Sequence, residues 1–215
     1  QWLAWMEKID ADPKALFRQH GFVDEGTLLE NINVFSRCME ALEEVRATQR
    51  LSEATKKKLG IELREGEFLV FVDYVIPPME ELRRRFPGDV SPVFESGILF
   101  EPIEACKGVS CEPRYIKCEC VHLDRDASSD EVLAEMERRG LRPCLLEELI
   151  AFDRAYPEEQ RKFLILALGS GARVYGRRSV AYLWGGNRGG RSLHLFSEGD
   201  DWFDDYRFLA VREIS

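Results

Sequence analysis

The chain has 215 residues, 45% hydrophobic and 32% charged, with a formal net charge of −9. A chain of this size buries a core without disulfide or metal staples, and the composition excludes a disordered chain. The negative balance excludes general nucleic-acid binding and attraction to an anionic membrane, and no run of about 18 apolar residues exists to form a membrane span.

The opening Gln1-Trp2-Leu3-Ala4-Trp5 lacks the basic segment and long apolar stretch of a signal peptide. A cytoplasmic location is therefore expected. Residues 1 to about 60 read as a helical arm. Pro13 to His20 suits a short helix. Thr27 and Glu30 have capping-box spacing, and Leu28, Leu29, Ile32, Phe35, Met39, Leu42 and Val45 recur near helical periodicity behind them. Gly60 is a plausible stop. The arm carries nothing catalytic and suits self-association, so a homo-oligomer is a possible assembly.

From residue 61 the pattern changes. Phe68 to Val72 is β-branched and aromatic and predicts a buried strand, ended by Pro77-Pro78. Met79 to Phe86 can form a short helix. Arg114 to Leu123 predicts a second strand with Ile116, Cys118, Cys120 and His122 on one side. Ser128 and Glu131 repeat the capping-box spacing ahead of Val132, Leu133 and Met136, and Gly140 closes that helix. A further helix follows Pro143, with Leu145, Leu146, Leu149, Ile150 and Phe152 as its apolar face, ending by Tyr156-Pro157. The last fifty or so residues read as strand and turn: Phe163 to Leu168, Val180 to Trp184, Ser192 to Phe196 and Phe208 to Val211. The six cysteines, at 38, 106, 111, 118, 120 and 144, match no common zinc spacing. Cys118 and Cys120 read as small core residues, with a disulfide or metal site as the alternatives.

The segment Gly140-Leu141-Arg142-Pro143-Cys144-Leu145-Leu146-Glu147-Glu148-Leu149 and the ending Tyr206-Arg207-Phe208-Leu209-Ala210-Val211-Arg212 resemble the helix junction and closing strand of C-type-lectin-like domains of the formylglycine-generating type. More closely, Ser128 to Leu133, Gly140 to Phe152, Tyr156-Pro157, Gln160 to Ser170 and Arg207 to Arg212 resemble the framework of a group of uncharacterised bacterial proteins. In that group the stretch between the last two blocks varies strongly, as in the variable proteins of diversity-generating retroelements. The resemblance implies an α+β fold: a C-type-lectin-like domain over 61–215, preceded by the helical arm. It implies a hypervariable C-terminal face that binds ligand. The chain lacks the lectin calcium motifs and the cysteine pair of the formylglycine-generating enzymes, so neither calcium-dependent sugar binding nor oxidase chemistry is implied.

The residues of the tail point the same way. Tyr182, Trp184, Phe196, Trp202, Phe203 and Tyr206 gather within a short stretch, and large aromatics dominate recognition hot spots. Arg173, Arg177, Arg178, Arg188 and Arg191 precede Glu198, Asp200, Asp201, Asp204 and Asp205, a basic-then-acidic order that can steer a partner. Leu193, Leu195, Trp202, Phe208 and Val211 read as scaffold. The candidate ligand-binding residues are Tyr182, Trp184, Asn187, Arg188, Ser192, His194, Phe196, Asp200, Asp201, Phe203, Asp204, Asp205 and Tyr206.

Catalytic patterns are weak. The three histidines are His20, His122 and His194, and no G-x-S-x-G or H-E-x-x-H run exists. His122 reads as a satisfied core histidine. The aspartates at 200, 201, 204 and 205 match no EF-hand spacing. Gly185 to Gly190 leads into a strand and not a helix, so it reads as a display loop and not a phosphate loop. The expected function is noncatalytic binding of a protein or other macromolecule, with no cofactor. The alternatives are an enzyme using the acidic cluster and His194, or an interaction subunit working through the arm.

Overall fold

The computed structural model describes residues 50–75, 77–79, 82, 94, 98–110, 112–185, 191–198 and 201–212. The helices expected before residue 50, Cys38, Cys111 and most of Met79–Phe86 lie outside these residues. The chain divides into two compact units, 1–47 and 48–215. A short helix, α1 (Glu53–Lys58), capped by the Ser52 side chain, thus falls in the second unit.

Among the described residues eight strands form one sheet: β1 (Glu67–Val72), β2 (Glu101–Pro102), β3 (Arg114–Val121), β4 (Arg142–Pro143), β5 (Ile165–Val174), β6 (Arg177–Gly185), β7 (Arg191–Ser197) and β8 (Arg207–Arg212). Two further helices, α2 (Ser129–Arg138) and α3 (Leu146–Ala155), lie between β3 and β5 in the chain. The strand order is β1-β3-β8-β5-β6-β7, with β2 on β5 and β4 on β8. β5 and β8 run parallel; the other pairs are antiparallel. A large sheet with few helices is an α+β fold. Among the described residues no helix is long and apolar enough to cross a membrane.

Alternation along the strands sends side chains to two cores. Ile116, Cys118, Ile165, Ala167, Ala181, Leu183, Leu193, Leu209 and Val211 meet α3 through Leu149, Ile150 and Phe152. Val121, Leu166, Leu168, Val180, Phe208 and Ala210 meet Val132 and Met136 of α2. α2 and α3 begin where the sequence predicts. Ser128 and Glu131 close a full capping box on α2, and Gly140, just past its end, has φ +66°. That left-handed conformation suits glycine. The cysteine expectation holds for Cys118, which is buried and unbridged. Burial pushes its thiol well above the usual range and that of Cys120 up to about 12.

At the bulge between Ala167 and Gly171, β5 passes against the chain leading into α3. Gly169 donates its N–H to the Cys144 carbonyl at 2.8 Å and accepts from the Ile103 N–H at 2.9 Å. A Cβ there would lie 2.5 Å from the Cys144 oxygen and 2.7 Å from that of Pro143. Both are backbone atoms, so relief requires moving main chain. Gly169→Ala is expected to lower the unfolding free energy by about 2–3 kcal/mol in urea denaturation. A loss below about 0.5 kcal/mol would mean that the crossing relaxes freely.

Candidate ligand-binding face

The register of β6 with β7 sets Tyr182 opposite His194, Val180 opposite Phe196 and Trp184 opposite Ser192. These six side chains share the sheet face that packs α2, because residues two apart on a strand point the same way. The apolar end of this set enters the core. Val180 is fully buried, and Tyr182 and Phe196 pack half-buried against that cluster. Toward the Gly185 end the face opens. The Tyr182 and His194 rings stand 5.8 Å apart, and Trp184 is 44% exposed.

The segment Asp201–Tyr206 lies across this face. Trp202, 1% exposed, anchors it. Its indole packs on Phe196, Tyr206 and Phe208, with centroids 5.3, 6.4 and 6.0 Å away, and its Nε1–H donates to Ser129 Oγ at 3.0 Å. Its backbone pairs with Ala127 in both directions, at 3.0 and 2.8 Å. The Asp204 N–H donates to Asp126 Oδ1 at 3.1 Å, and the Asp204 carbonyl meets His122 Nε2 at 2.6 Å. His122 Nδ1 lies 2.9 Å from Asp124 Oδ1. The Tyr206 N–H closes a turn on the Phe203 carbonyl at 3.1 Å. With its backbone held in this way, the turn projects Phe203 outward, 59% exposed, and leaves Asp201, Asp204 and Asp205 exposed beside it.

The rings form one continuous series. Tyr182 lies 6.1 Å from Phe196, Phe196 lies 6.2 Å from Tyr206, and Tyr206 lies 5.6 Å from Phe203. Trp184 adjoins Tyr182 along β6. Tyr182, Trp184, His194, Phe196, Phe203 and Tyr206 thus come together, with Asp201, Asp204 and Asp205 at the Phe203 end. Asn187, Arg188 and Asp200 lie outside the described residues. Leu193, Trp202, Phe208 and Val211 are core, as expected, and Leu195 is partly buried.

Two readings need correction. Ser192 was expected on display, but it is 5% exposed and donates its hydroxyl to the Trp184 carbonyl at 2.9 Å. Its strand position was read correctly; its depth depends on neighbours that alternation does not report. His122 is not a core side chain but a half-buried clamp on the 201–206 turn. The arginines of the tail are dispersed over the fold. Arg178 is tied to Glu198, and Arg191 lies 3.8 Å from buried Asp153. Arg173 and Arg177 flank the β5–β6 hairpin tip, the opposite end of β6 from Trp184. Among the described residues His194 makes no hydrogen bond or ion pair with a carboxylate, so the geometry does not assemble it with the aspartates.

The residues that hold the turn, His122, Asp126, Ala127 and Ser129, come from the β3–α2 connection. The only signal for them in the sequence is that they flank the Ser128 cap. No family model, curated protein or solved structure matches the chain.

Two carboxylates of α2 are held below their ordinary range. Arg125 beside Glu131, with the Ser128 N–H and hydroxyl, holds the Glu131 carboxyl down to about 2 from an ordinary 4.5. Arg138 and Arg139 do the same to Glu135. Because the folded values are depressed, this stabilisation is present above pH 4.5 and is lost as pH falls toward 2. Urea midpoints are expected to fall over that window in the parent chain and to fall less in Glu131→Gln, which lacks the carboxylate from the start. An equal fall in both would refute the role of Glu131.

Proposed function

We propose that this chain is a noncatalytic ligand-binding protein, a variable protein of the diversity-generating-retroelement type, displaying its C-terminal face on a C-type-lectin-like scaffold. The observation that carries the reading is the contrast at residues 201–206. The backbone is fixed by Ala127, Asp126 and His122, while Phe203 stands 59% exposed above it. Exposing an aromatic ring costs stability, whereas holding it rigid lowers the entropy lost on binding. Both features suit recognition of a protein or other macromolecule. The two helices ahead of the final strands, and the Gly140–Leu149 junction between them, agree with the lectin-type framework. The arm read over residues 1 to about 60 is assigned an oligomerising role, which would multiply weak contacts.

Trp184→Ala and Phe203→Ala are each expected to change unfolding free energy by less than about 0.5 kcal/mol. A library randomised at 184, 194, 203 and 206 should keep its cooperative unfolding and yield binders when selected against streptavidin. Collapse of most library members would defeat the display reading. The retroelement assignment is tested at the gene: a reverse transcriptase beside a near-copy of the tail-coding DNA, differing at adenines, is expected.

A further inference from the structure

The recognition face has an unbalanced charge. Asp201, Asp204 and Asp205 are all exposed around Phe203 and Tyr206, and no ion pair satisfies any of them among the described residues. Asp124 and Asp126 of the supporting loop lie behind the same turn, one on His122 and the other on the Asp204 N–H. Among the described residues the nearby arginines already have partners that are not these carboxylates. Arg125 pairs with Glu131 at 2.7 Å. Arg207 donates to the Asp205 and Tyr206 carbonyls and covers the Phe163 ring at 4.4 Å. Burial, then the Asp205 carboxylate, raises the Tyr206 phenol above its ordinary value.

Among the described residues no three His, Cys, Asp or Glu side chains are disposed around one ion. The carboxylates spread along a turn and alternate with an exposed ring. That arrangement suits several separated cations, each able to meet a carboxylate on one side and an aromatic face on the other. Arginine does this best, because its planar guanidinium bonds carboxylates and stacks on rings at once. A nucleic acid or an anionic lipid would instead meet like charge.

Building on the recognition reading above, we propose that the partner of this face is a protein segment rich in arginine and lysine, seated on Phe203, Tyr206 and Trp184 and held by Asp201, Asp204 and Asp205. The aromatic rings supply contact area, and the aspartates select the charge and speed the encounter.

The test uses the full chain and two labelled peptides of equal length, a glycine–arginine repeat and a glycine–glutamate repeat, in fluorescence polarisation. The arginine peptide should bind and the glutamate peptide should not. Raising salt from about 0.05 M to about 0.5 M should weaken binding, because screening shortens the reach of exposed charges. Asp201→Asn/Asp204→Asn/Asp205→Asn should weaken the arginine peptide at least about ten-fold at low salt. Trp184→Ala/Phe203→Ala should also weaken it. If the triple variant unfolds, Asp201→Asn/Asp205→Asn replaces it. Undiminished binding by the acidic variant, equal binding of the glutamate peptide, or no binding of the arginine peptide each overturns the charge assignment. The streptavidin selection uses no cationic probe, so it reads the recognition proposal separately.

Discussion

Trp202→Ala is expected to cost about 3–5 kcal/mol of unfolding free energy, and to cost the candidate face its shape as well. The indole fills the space between Phe196, Tyr206 and Phe208, and its Nε1–H satisfies Ser129 at 3.0 Å. Removing it leaves a large cavity on the α2 side of the sheet and frees the segment that presents Phe203. Urea denaturation reads the first effect. Amide hydrogen exchange at Ala127, Trp202 and Asp204, whose N–H groups bond across the two loops, reads the second. Trp202→Phe keeps most of the volume and loses the Ser129 bond, so a loss of about 1–2 kcal/mol is expected. If Trp202→Ala loses less than Trp202→Phe, the indole is not the anchor.

Glu148→Gln should be comparably severe. Glu148 is 0% exposed, at the first turn of α3. Its carboxylate accepts from Arg142 at 2.5 and 2.9 Å, from the Tyr74 hydroxyl at 2.6 Å and from the Leu145 N–H at 2.7 Å. Burial, with the carboxylate next in importance, pushes the Tyr74 phenol far above its ordinary value. An amide carries two donors where every neighbour is already a donor. It also removes the charge that balances the largely buried Arg142 guanidinium. Breaking one side of such a pair costs about 3–5 kcal/mol. Glu148→Leu with Arg142→Met leaves no buried charge and should recover part of that loss. A double-mutant cycle with a coupling below about 0.5 kcal/mol would show the two residues to be independent.

Strand content was readable wherever apolar residues run together: Phe68–Val72, the start of β5, and Leu209–Val211 each became buried strand. The α2 boundaries were readable because Ser128, Glu131 and Gly140 each have a local physical effect. β2 and β4 were not readable. Each is two residues long and contains a proline, so neither has any periodicity to detect. The aromatic members of the candidate face were legible from composition and spacing. Their supports were not, because the His122 bond to the Asp204 carbonyl spans 82 residues and the Trp202 bond to Ser129 spans 73. Ser192 shows the same limit: alternation assigned its side of β7 but not its burial.

Strand order has a further effect during synthesis. β8, made after every other strand, sits between β3 and β5. The two halves of the sheet therefore cannot join through it until residues 207–212 have been made. A frameshift or stop codon within the candidate recognition segment removes the keystone strand and leaves two unpaired edges for proteases to find. Tails that stay in frame through Arg212 are therefore expected to give the longer-lived protein, and the topology would screen coding errors in the part of the gene where sequence change is proposed to concentrate.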